Sequence, residues 1–302
     1  MAGNLQNDGP DFFSGFHPAV LLLYFCGVLF FGMFSLHPVV LLITFFSEFF
    51  YSILLSGGKA LKFDLCMLPV TLAVALLNPL LNHAGATILF YLNGNPVTWE
   101  AIVAGANYAL AFLAVLLTFS CFNRIMTSDK LMYLFGKLIP VLSLIFSMTL
   151  RFVPRYKAQI KKIAKAQKCI GKDPGHGNLL RRTENGVRIL SVLITWALEN
   201  AVETADSMKA RGFGLKGRTS FSIYSWEKKD GLLLTVELAA LLTALAGLAF
   251  GKFRAVYFPT IRIAGLDGTA ALFDGAYAVF CLLPIAVDGK EALLWNRLKL
   301  PD

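Results

Sequence analysis

The chain has 302 residues, of which 56% are hydrophobic even before glycine is counted, and its mean hydropathy is +0.63. Ordinary soluble domains reach about 45–50% only when glycine is included. These values exclude an ordinary soluble protein and predict an all-α, polytopic helical membrane protein. The formal net charge of +9 is uneven, because 20 of the 28 lysines and arginines lie between Arg124 and Lys229.

This basic block lies between apolar segments, which marks it as cytoplasmic by the positive-inside rule. Its charge suits anionic lipid headgroups or an acidic protein surface. Nucleic acid is excluded as a partner, because the block is attached to membrane segments and carries no interleaved aromatic platform. The sequence therefore predicts a lipid bilayer around the spans and, as the partner of the basic block, either anionic headgroups or an acidic protein.

Six apolar segments are long enough to cross a bilayer, which needs about 17–25 residues when the segment is helical. In chain order they are Pro18–Phe34, Pro38–Leu55, Leu65–Leu81, Ala101–Phe122, Leu232–Phe250 and Ala270–Val287. The first two each begin at a His-Pro pair, and proline suits the first turn of a helix because its missing N–H would have no partner there. Each pair therefore predicts a helix start.

Charged residues predict how these segments are oriented. Lys59 and Lys62 indicate an inner loop, whereas the segment from Asn82 to Trp99 has no lysine or arginine and indicates an outer loop with a turn at Asn93-Gly94-Asn95-Pro96. Only the loop that contains Lys252, Arg254 and Arg262 opposes the rule. Six spans predict a multi-pass protein of the cell membrane with both termini cytoplasmic.

The predicted organisation has three parts. Residues 1–122 hold N-terminal spans, residues 123–229 form a cytoplasmic region, and residues 230–302 hold C-terminal spans. Within the middle part, apolar residues at three- and four-residue spacing predict two long amphipathic helices, from about Pro154 to Gly171 and from about Thr183 to Gly212. Each ends in glycine, the residue most common at a helix C-cap. The apolar run from Ile139 to Leu150 is short for a span, so it either dips into the membrane or packs against the spans.

Two motifs in this middle region resemble a known family. The second helix ends in A-x-x-x-x-A-R-G at Ala205 to Gly212, followed by Phe213-Gly214 and by Arg218-Thr219-Ser220 on the way to Asp230. Before the first helix stands Arg151-Phe152-Val153-Pro154, which is similar to an R-F-x-P entry. Both resemble the transmembrane coupling (T) component of energy-coupling-factor (ECF) transporters, which includes the Q-type subunits of cobalt and nickel importers.

The resemblance implies a non-catalytic subunit of an ATP-driven importer of a vitamin or a metal ion. Two cytosolic ATPases of the ABC type would grip the ends of the two helices, and a separate membrane subunit would capture the substrate. Matching the motifs gives Arg151 and Pro154 as the helix entry, and the following docking residues: Ala166, Ile170, Gly171, Ala205, Ala210, Arg211 and Gly212. The first helix departs from the family pattern, because Ile170 stands where arginine is expected, which suggests two non-identical ATPases.

The chain itself is expected to need no cofactor. It has no G-x-x-x-x-G-K-[ST] loop, so ATP hydrolysis would belong to a partner chain. Its five cysteines and four histidines form neither a disulfide framework nor a ligand cluster.

Three acids inside apolar runs leave two other functions open. Glu48, Glu237 and Asp274 are either functional groups or carboxyl groups that are protonated or hydrogen-bonded at helix contacts. A membrane-embedded enzyme would need two of them facing one cavity. A conventional permease would use them along its own translocation path.

Overall fold

A computed structural model describes residues 12–92, 94–172, 175, 178–213, 215, 224–265 and 267–298. The chain forms two compact units, which are Met1–Leu131 together with Tyr224–Asp302, and Met132–Ile223. The segments before and after the basic region therefore belong to one unit.

The first unit begins with a short 3-10 helix, Phe13–Gly15, and then α1 (Pro18–Phe34) and α2 (Pro38–Ser56). Both predicted His-Pro helix starts are confirmed, because each proline is the first helical residue and each histidine is the N-cap. The His17 ring nitrogen Nδ1 accepts a hydrogen bond from the Ala19 N–H at 3.2 Å, which provides one free backbone donor with a partner.

Helix α3 (Gly58–Leu81) follows α2 after a single residue, Gly57, with φ +55°. The predicted loop around Lys59 and Lys62 was therefore wrong, since both lysines belong to the first turns of α3, whereas their position on the inner side of the membrane stays a prediction. Glycine reaches this left-handed conformation without a steric penalty, so one residue can end one helix and begin the next.

An antiparallel hairpin connects α3 to α4 (Trp99–Ile125). Its strands are β1 (Ile88–Leu92) and β2 (Asn95–Thr98). The predicted turn is confirmed, and Gly94 adopts φ +86° there; the strands on either side were not predicted. The Thr98 hydroxyl accepts the Ala101 N–H at 3.3 Å and so caps α4.

The remaining helices are α5 (Ser128–Leu138), α6 (Pro140–Cys169), α7 (Leu179–Ala210), α8 (Lys228–Ala249) and α9 (Gly268–Leu298). A small hairpin of β3 (Ala255–Val256) and β4 (Arg262–Ile263) joins α8 to α9. Within the described ranges, α2, α3, α4, α8 and α9 are long and apolar enough to cross a membrane. Helix α1 is apolar but has 17 residues, which is the lower limit for a span. The prediction of an all-α, polytopic membrane protein is confirmed.

The core of the first unit combines aromatic packing with buried polar contacts. Tyr24, Phe31, Tyr277 and Phe280 are all at most 1% exposed. The Tyr24 hydroxyl lies 3.0 Å from both Glu48 Oε1 and the Cys281 carbonyl oxygen, so it joins α1 to α2 and α9. These contacts fix the helices against one another at a depth where an unsatisfied polar group would be costly.

Backbone anchors hold the residues before α1 against this unit. The Phe13 N–H donates to Asp288 Oδ1 at 2.7 Å, and the His17 N–H donates to Asp230 Oδ1 at 2.9 Å. Asp230 is 4% exposed and also accepts the Glu227 N–H at 2.9 Å, as part of a capping box at the start of α8. The start of α8 is thus held by hydrogen bonds to the residues before α1.

Candidate functional site

The second unit contains two long helices that run antiparallel. The Arg155 guanidinium donates to Asn200 Oδ1 at 2.7 Å, and the rings of Tyr156 and Trp196 are 5.6 Å apart. Leu144 and Met148, near the start of α6, line a cleft together with Met208 and Arg211, near the end of α7, so contacts move backwards along α7 as they move forwards along α6. With 30 and 32 residues, the helices are about 45 and 48 Å long at 1.5 Å per residue. Their C-terminal ends lie at opposite ends of the pair.

The predicted helix starts were both wrong. Helix α6 begins at Pro140, so the apolar run from Ile139 onward is part of it, and Pro154 lies inside the helix. Proline removes one backbone hydrogen bond and usually ends or bends a helix, but Arg155 and Tyr156 contact α7 directly after it and hold the second half in place. Helix α7 begins at Leu179, where Asn178 Oδ1 accepts the Leu179 N–H at 3.2 Å.

The two C-terminal ends have the same backbone geometry. At the end of α6, the Lys172 N–H donates to the Gln167 carbonyl at 2.9 Å and the Gly171 N–H to the Lys168 carbonyl at 3.0 Å. Gly171 adopts φ +74°. This pair of bonds with a left-handed glycine is the Schellman motif.

The end of α7 repeats it. The Phe213 N–H donates to the Met208 carbonyl at 3.0 Å and the Gly212 N–H to the Lys209 carbonyl at 3.0 Å, with Gly212 at φ +78°. Superposing the two motifs residue by residue places Ile170 and Arg211 at the same C-cap position. In this alignment of the two helix ends, Ala205 is equivalent to Ala164, and Ser207 is equivalent to Ala166.

Most of the predicted docking residues face solvent. Ile170 is 62% exposed, which is unusual for an isoleucine at a helix end. The others that are exposed are Ala166, Gly171, Ala205, Ala210 and Arg211, and Gly212 is half-buried. Because most of these residues are exposed within the described part of the second unit, both ends are accessible to another molecule.

Charge separates the two ends. Residues 160–172 contain five lysines and no acid, whereas residues 201–213 contain Glu203, Asp206, Lys209 and Arg211, which balance. An acidic surface would be attracted strongly to the first end and only through Arg211 and Lys209 to the second.

Sequence reasoning passed over Arg155, which the structure places between the two helices. Its guanidinium carbon lies 5.3 Å from the centre of the Trp196 ring, in addition to the hydrogen bond to Asn200. The signal was the four-residue spacing from Arg151, which puts both arginines on one side of α6. The motif residues Gly214 and Arg218-Thr219-Ser220 lie outside the described residues.

The three acids of the apolar runs belong to the first unit. Glu48, Glu237 and Asp274 are 0%, 1% and 7% exposed in the first unit. Glu48 accepts the Tyr24 hydroxyl, whereas neither carboxylate oxygen of Glu237 has a hydrogen-bond partner among the described residues. None of the three lines the cleft between α6 and α7 or the cleft at the β3–β4 hairpin.

The fold thus defines a multi-pass α-helical membrane protein that carries an antiparallel helix pair with two exposed, matching ends. The family model CbiQ, described as "Cobalt transport protein", matches residues 14–223, and the chain belongs to this family. The match covers helices α1 to α7, which include the helix pair.

Curated relatives agree with this assignment. The chain is 32% identical over 172 residues to the energy-coupling factor transporter transmembrane protein EcfT 1 of Listeria monocytogenes, which is 53% of this chain and 64% of that protein. It is 31% identical over 205 residues to the EcfT protein of Bacillus subtilis, 64% of this chain and 75% of that protein. The match to the Lactococcus lactis EcfT protein is 36% over 99 residues, 37% of that protein.

The chain therefore spans less than two thirds of the length of some of these relatives, including the first, at 64%. The predicted resemblance to the ECF transmembrane component is confirmed by the family match and by the relatives' names.

Proposed function

We propose that this chain is the coupling subunit that links two cytosolic ABC ATPases to a separate membrane subunit, which captures a vitamin or a metal ion for uptake. The observation that carries the proposal is the pair of matching cap geometries at Gly171 and Gly212, at opposite ends of one antiparallel helix pair, with Ile170 and Arg211 exposed beside them. Two equivalent ends suit two ATPase subunits that act as a pair.

Each end offers its partner a different contact. Arg211 presents several hydrogen-bond donors that can grip a carboxylate, and the small residues Ala205, Ala210 and Gly212 allow close approach. Ile170 presents apolar surface among lysines instead. The two ATPases are therefore non-identical in the proposal, and only the one at Arg211 has an acid at the centre of its groove.

The mechanism is mechanical. Closure of the ATPases on ATP would move the two ends, and the helix pair would pass that movement to the capture subunit. A movement of this kind needs contacts that differ between two states. Arg155, with its bond to Asn200 and its position over Trp196, ties the helices together near their middle and would make them move as one body.

Co-expression tests the assembly. The full chain, purified with the two ATPases and a capture subunit, is expected to retain both ATPases and to support ATP-driven uptake. An ATPase variant that cannot hydrolyse ATP should abolish uptake without releasing the chain. ATP hydrolysis by the chain alone, or submicromolar binding of a vitamin or metal ion to it by calorimetry, would contradict the coupling role.

The proposal also places the helix pair and both termini on the cytoplasmic side of the cell membrane, because most of the positive charge lies there. Cys169 is exposed at the end of α6 and reports on this. With Cys26 and Cys66 replaced by serine, an impermeant thiol reagent is expected to label Cys169 in inside-out vesicles and not in intact cells. Labelling in intact cells would reverse the topology.

A further inference from the structure

The β3–β4 hairpin joins two helices that are long and apolar enough to cross a membrane, α8 and α9. Its place in the chain therefore puts it at the membrane surface, beside the ends of both spans. Phe250, at the end of α8, is 74% exposed, and Leu272, near the start of α9, is 63% exposed. Exposed apolar side chains on either side of the hairpin suit lipid that reaches up to it.

One face of the hairpin fixes it to the helices of the first unit. Phe253 and Tyr257 are buried, and the Tyr257 hydroxyl donates to the Leu36 carbonyl oxygen at 2.9 Å. The Lys252 ammonium group donates to Asp267 Oδ2 at 3.1 Å, which ties the start of the hairpin to the residues before α9. The hairpin is thus held in a defined position.

The opposite face carries two arginines. Successive side chains of a strand point to opposite faces, so Arg254 and Val256 point away from the buried aromatic residues, and both are exposed. Arg262 is paired with Val256 across the hairpin. The Ala264 N–H donates to the Arg254 carbonyl oxygen at 3.1 Å, so the pairing extends to that arginine. Arg254 and Arg262 are therefore diagonal neighbours on one face, about 7–8 Å apart and within reach of each other's long side chains.

Both guanidinium groups are available to a ligand. Among the described residues, neither Arg254 nor Arg262 forms an ion pair or a hydrogen bond through its side chain. Residues 251–265 contain no acid, and the nearest acid along the chain, Asp267, is paired with Lys252. One anion can therefore be shared by two guanidinium groups, whose geometry matches phosphate oxygens in pairs.

The two arginines line a cleft of about 580 Å³. Much of its remaining wall is apolar and consists of Val256, Phe258, Pro259 and Ile263. Inorganic phosphate would gain nothing from this surface, whereas a ligand that carries hydrocarbon would cover part of it. Burial of apolar area contributes to binding roughly in proportion to that area.

We propose that Arg254 and Arg262 hold the phosphate group of an anionic phospholipid at the ends of α8 and α9. Charge complementarity selects the anion, and the apolar wall beside two spans selects a lipid over inorganic phosphate. The site gives a role to positive charge in the one loop that opposes the positive-inside rule. It lies within the first unit and does not depend on the coupling role.

The test is native mass spectrometry of the full chain, released from nanodiscs of equal parts phosphatidylglycerol and phosphatidylcholine with the same acyl chains. The wild-type chain is expected to retain phosphatidylglycerol preferentially. Arg254→Gln and Arg262→Gln should each lower that retention about fivefold, the effect of one arginine near an anionic surface. The double variant should lower it further, and Arg254→Lys should retain more lipid than Arg254→Gln. These changes leave the buried anchors of the hairpin in place.

Arg181→Gln is the matched control, because it removes the same charge from an exposed position in the second unit. It should leave retention unchanged. Equal losses in all three single variants would mean diffuse attraction and would overturn the site. Displacement of phosphatidylglycerol by excess inorganic phosphate would overturn it in favour of a small-anion site. Full lipid retention by the double variant, together with loss of a co-purified capture subunit, would assign the arginines to a protein partner instead.

Discussion

The ends of α6 and α7 have the same backbone and different chemistry. Both close with a left-handed glycine and the same two hydrogen bonds, yet the residue before the glycine is Ile170 in one and Arg211 in the other. The lysine-rich surroundings of Ile170 contrast with the balanced charges around Arg211. Glycine thus sets the shape of each end, while its neighbours set the charge and polarity that the end presents.

The largest effect on ATPase binding is expected when Ile170, at the end of α6, is replaced by the arginine that stands at the end of α7. Ile170→Arg should weaken binding of the ATPase at that end by about 2–5 kcal/mol, because the proposed partner has no acid there and the charge would be buried unpaired. The measurement is the amount of each ATPase that co-purifies with the chain. Lys209→Arg, which changes the side chain and not the charge, is the control. Stronger binding by Ile170→Arg would indicate two identical grooves and break the proposed asymmetry.

The shared backbone geometry predicts an intermediate effect at both glycines. At Gly212 the Leu215 side chain must also shift, because an added Cβ would lie 3.0 Å from Leu215 Cδ1, whereas one at Gly171 would meet nothing within 4 Å. Gly171→Val and Gly212→Val should each cost about 1–3 kcal/mol, since a β-branched residue is strained at positive φ. Hydrogen exchange at the amides of Lys172 and Phe213 reports on the two caps separately. Gly186→Ala is a control in mid-helix, where an added Cβ meets nothing within 4 Å. Loss of protection at only one end would show that the caps are not equivalent.

The smallest effect concerns the lysines. Replacing Lys161, Lys162 and Lys165 by glutamine should slow ATPase association and reduce its salt dependence, at about 0.2–1 kcal/mol for each exposed charge. Association rates at low and high ionic strength measure this, with Lys209→Gln as the matched change at the other end. A larger salt effect from Lys209→Gln would reverse the assignment of charge to the two ends.

Local rules predicted much of the fold. His17 and His37 before proline marked two helix starts, and the glycines at 171 and 212 marked two helix ends, because these signals depend on a few neighbouring residues. Apolar length similarly predicted the spans. The ends were also the part of the site that the sequence could indicate, since the motif around Arg211 is contiguous.

Contacts between distant residues were beyond the sequence. The continuation of α6 through Pro154 depends on Arg155 and Tyr156 meeting α7, about forty residues away in the chain. Glu48 is a second example, because the sequence shows only an acid in an apolar run. The structure shows that this acid accepts a hydrogen bond from Tyr24. Hairpin β1–β2 was missed because its strands are short and its residues match an apolar loop as well as a strand.

One comparison tests the central claim most directly, which is that Arg211 and Ile170 each hold a different ATPase. The full complex is purified with Arg211→Ala, with Ile170→Ala and with Arg181→Ala as the control, and both ATPases are quantified along with ATP-driven uptake. Arg211→Ala should lose one ATPase, at a cost of about 2–5 kcal/mol. Ile170→Ala should cost only an apolar contact of about 1–3 kcal/mol, and Arg181→Ala should lose nothing. Equal losses from the first two variants, or none from Arg211→Ala, would contradict the docking assignment.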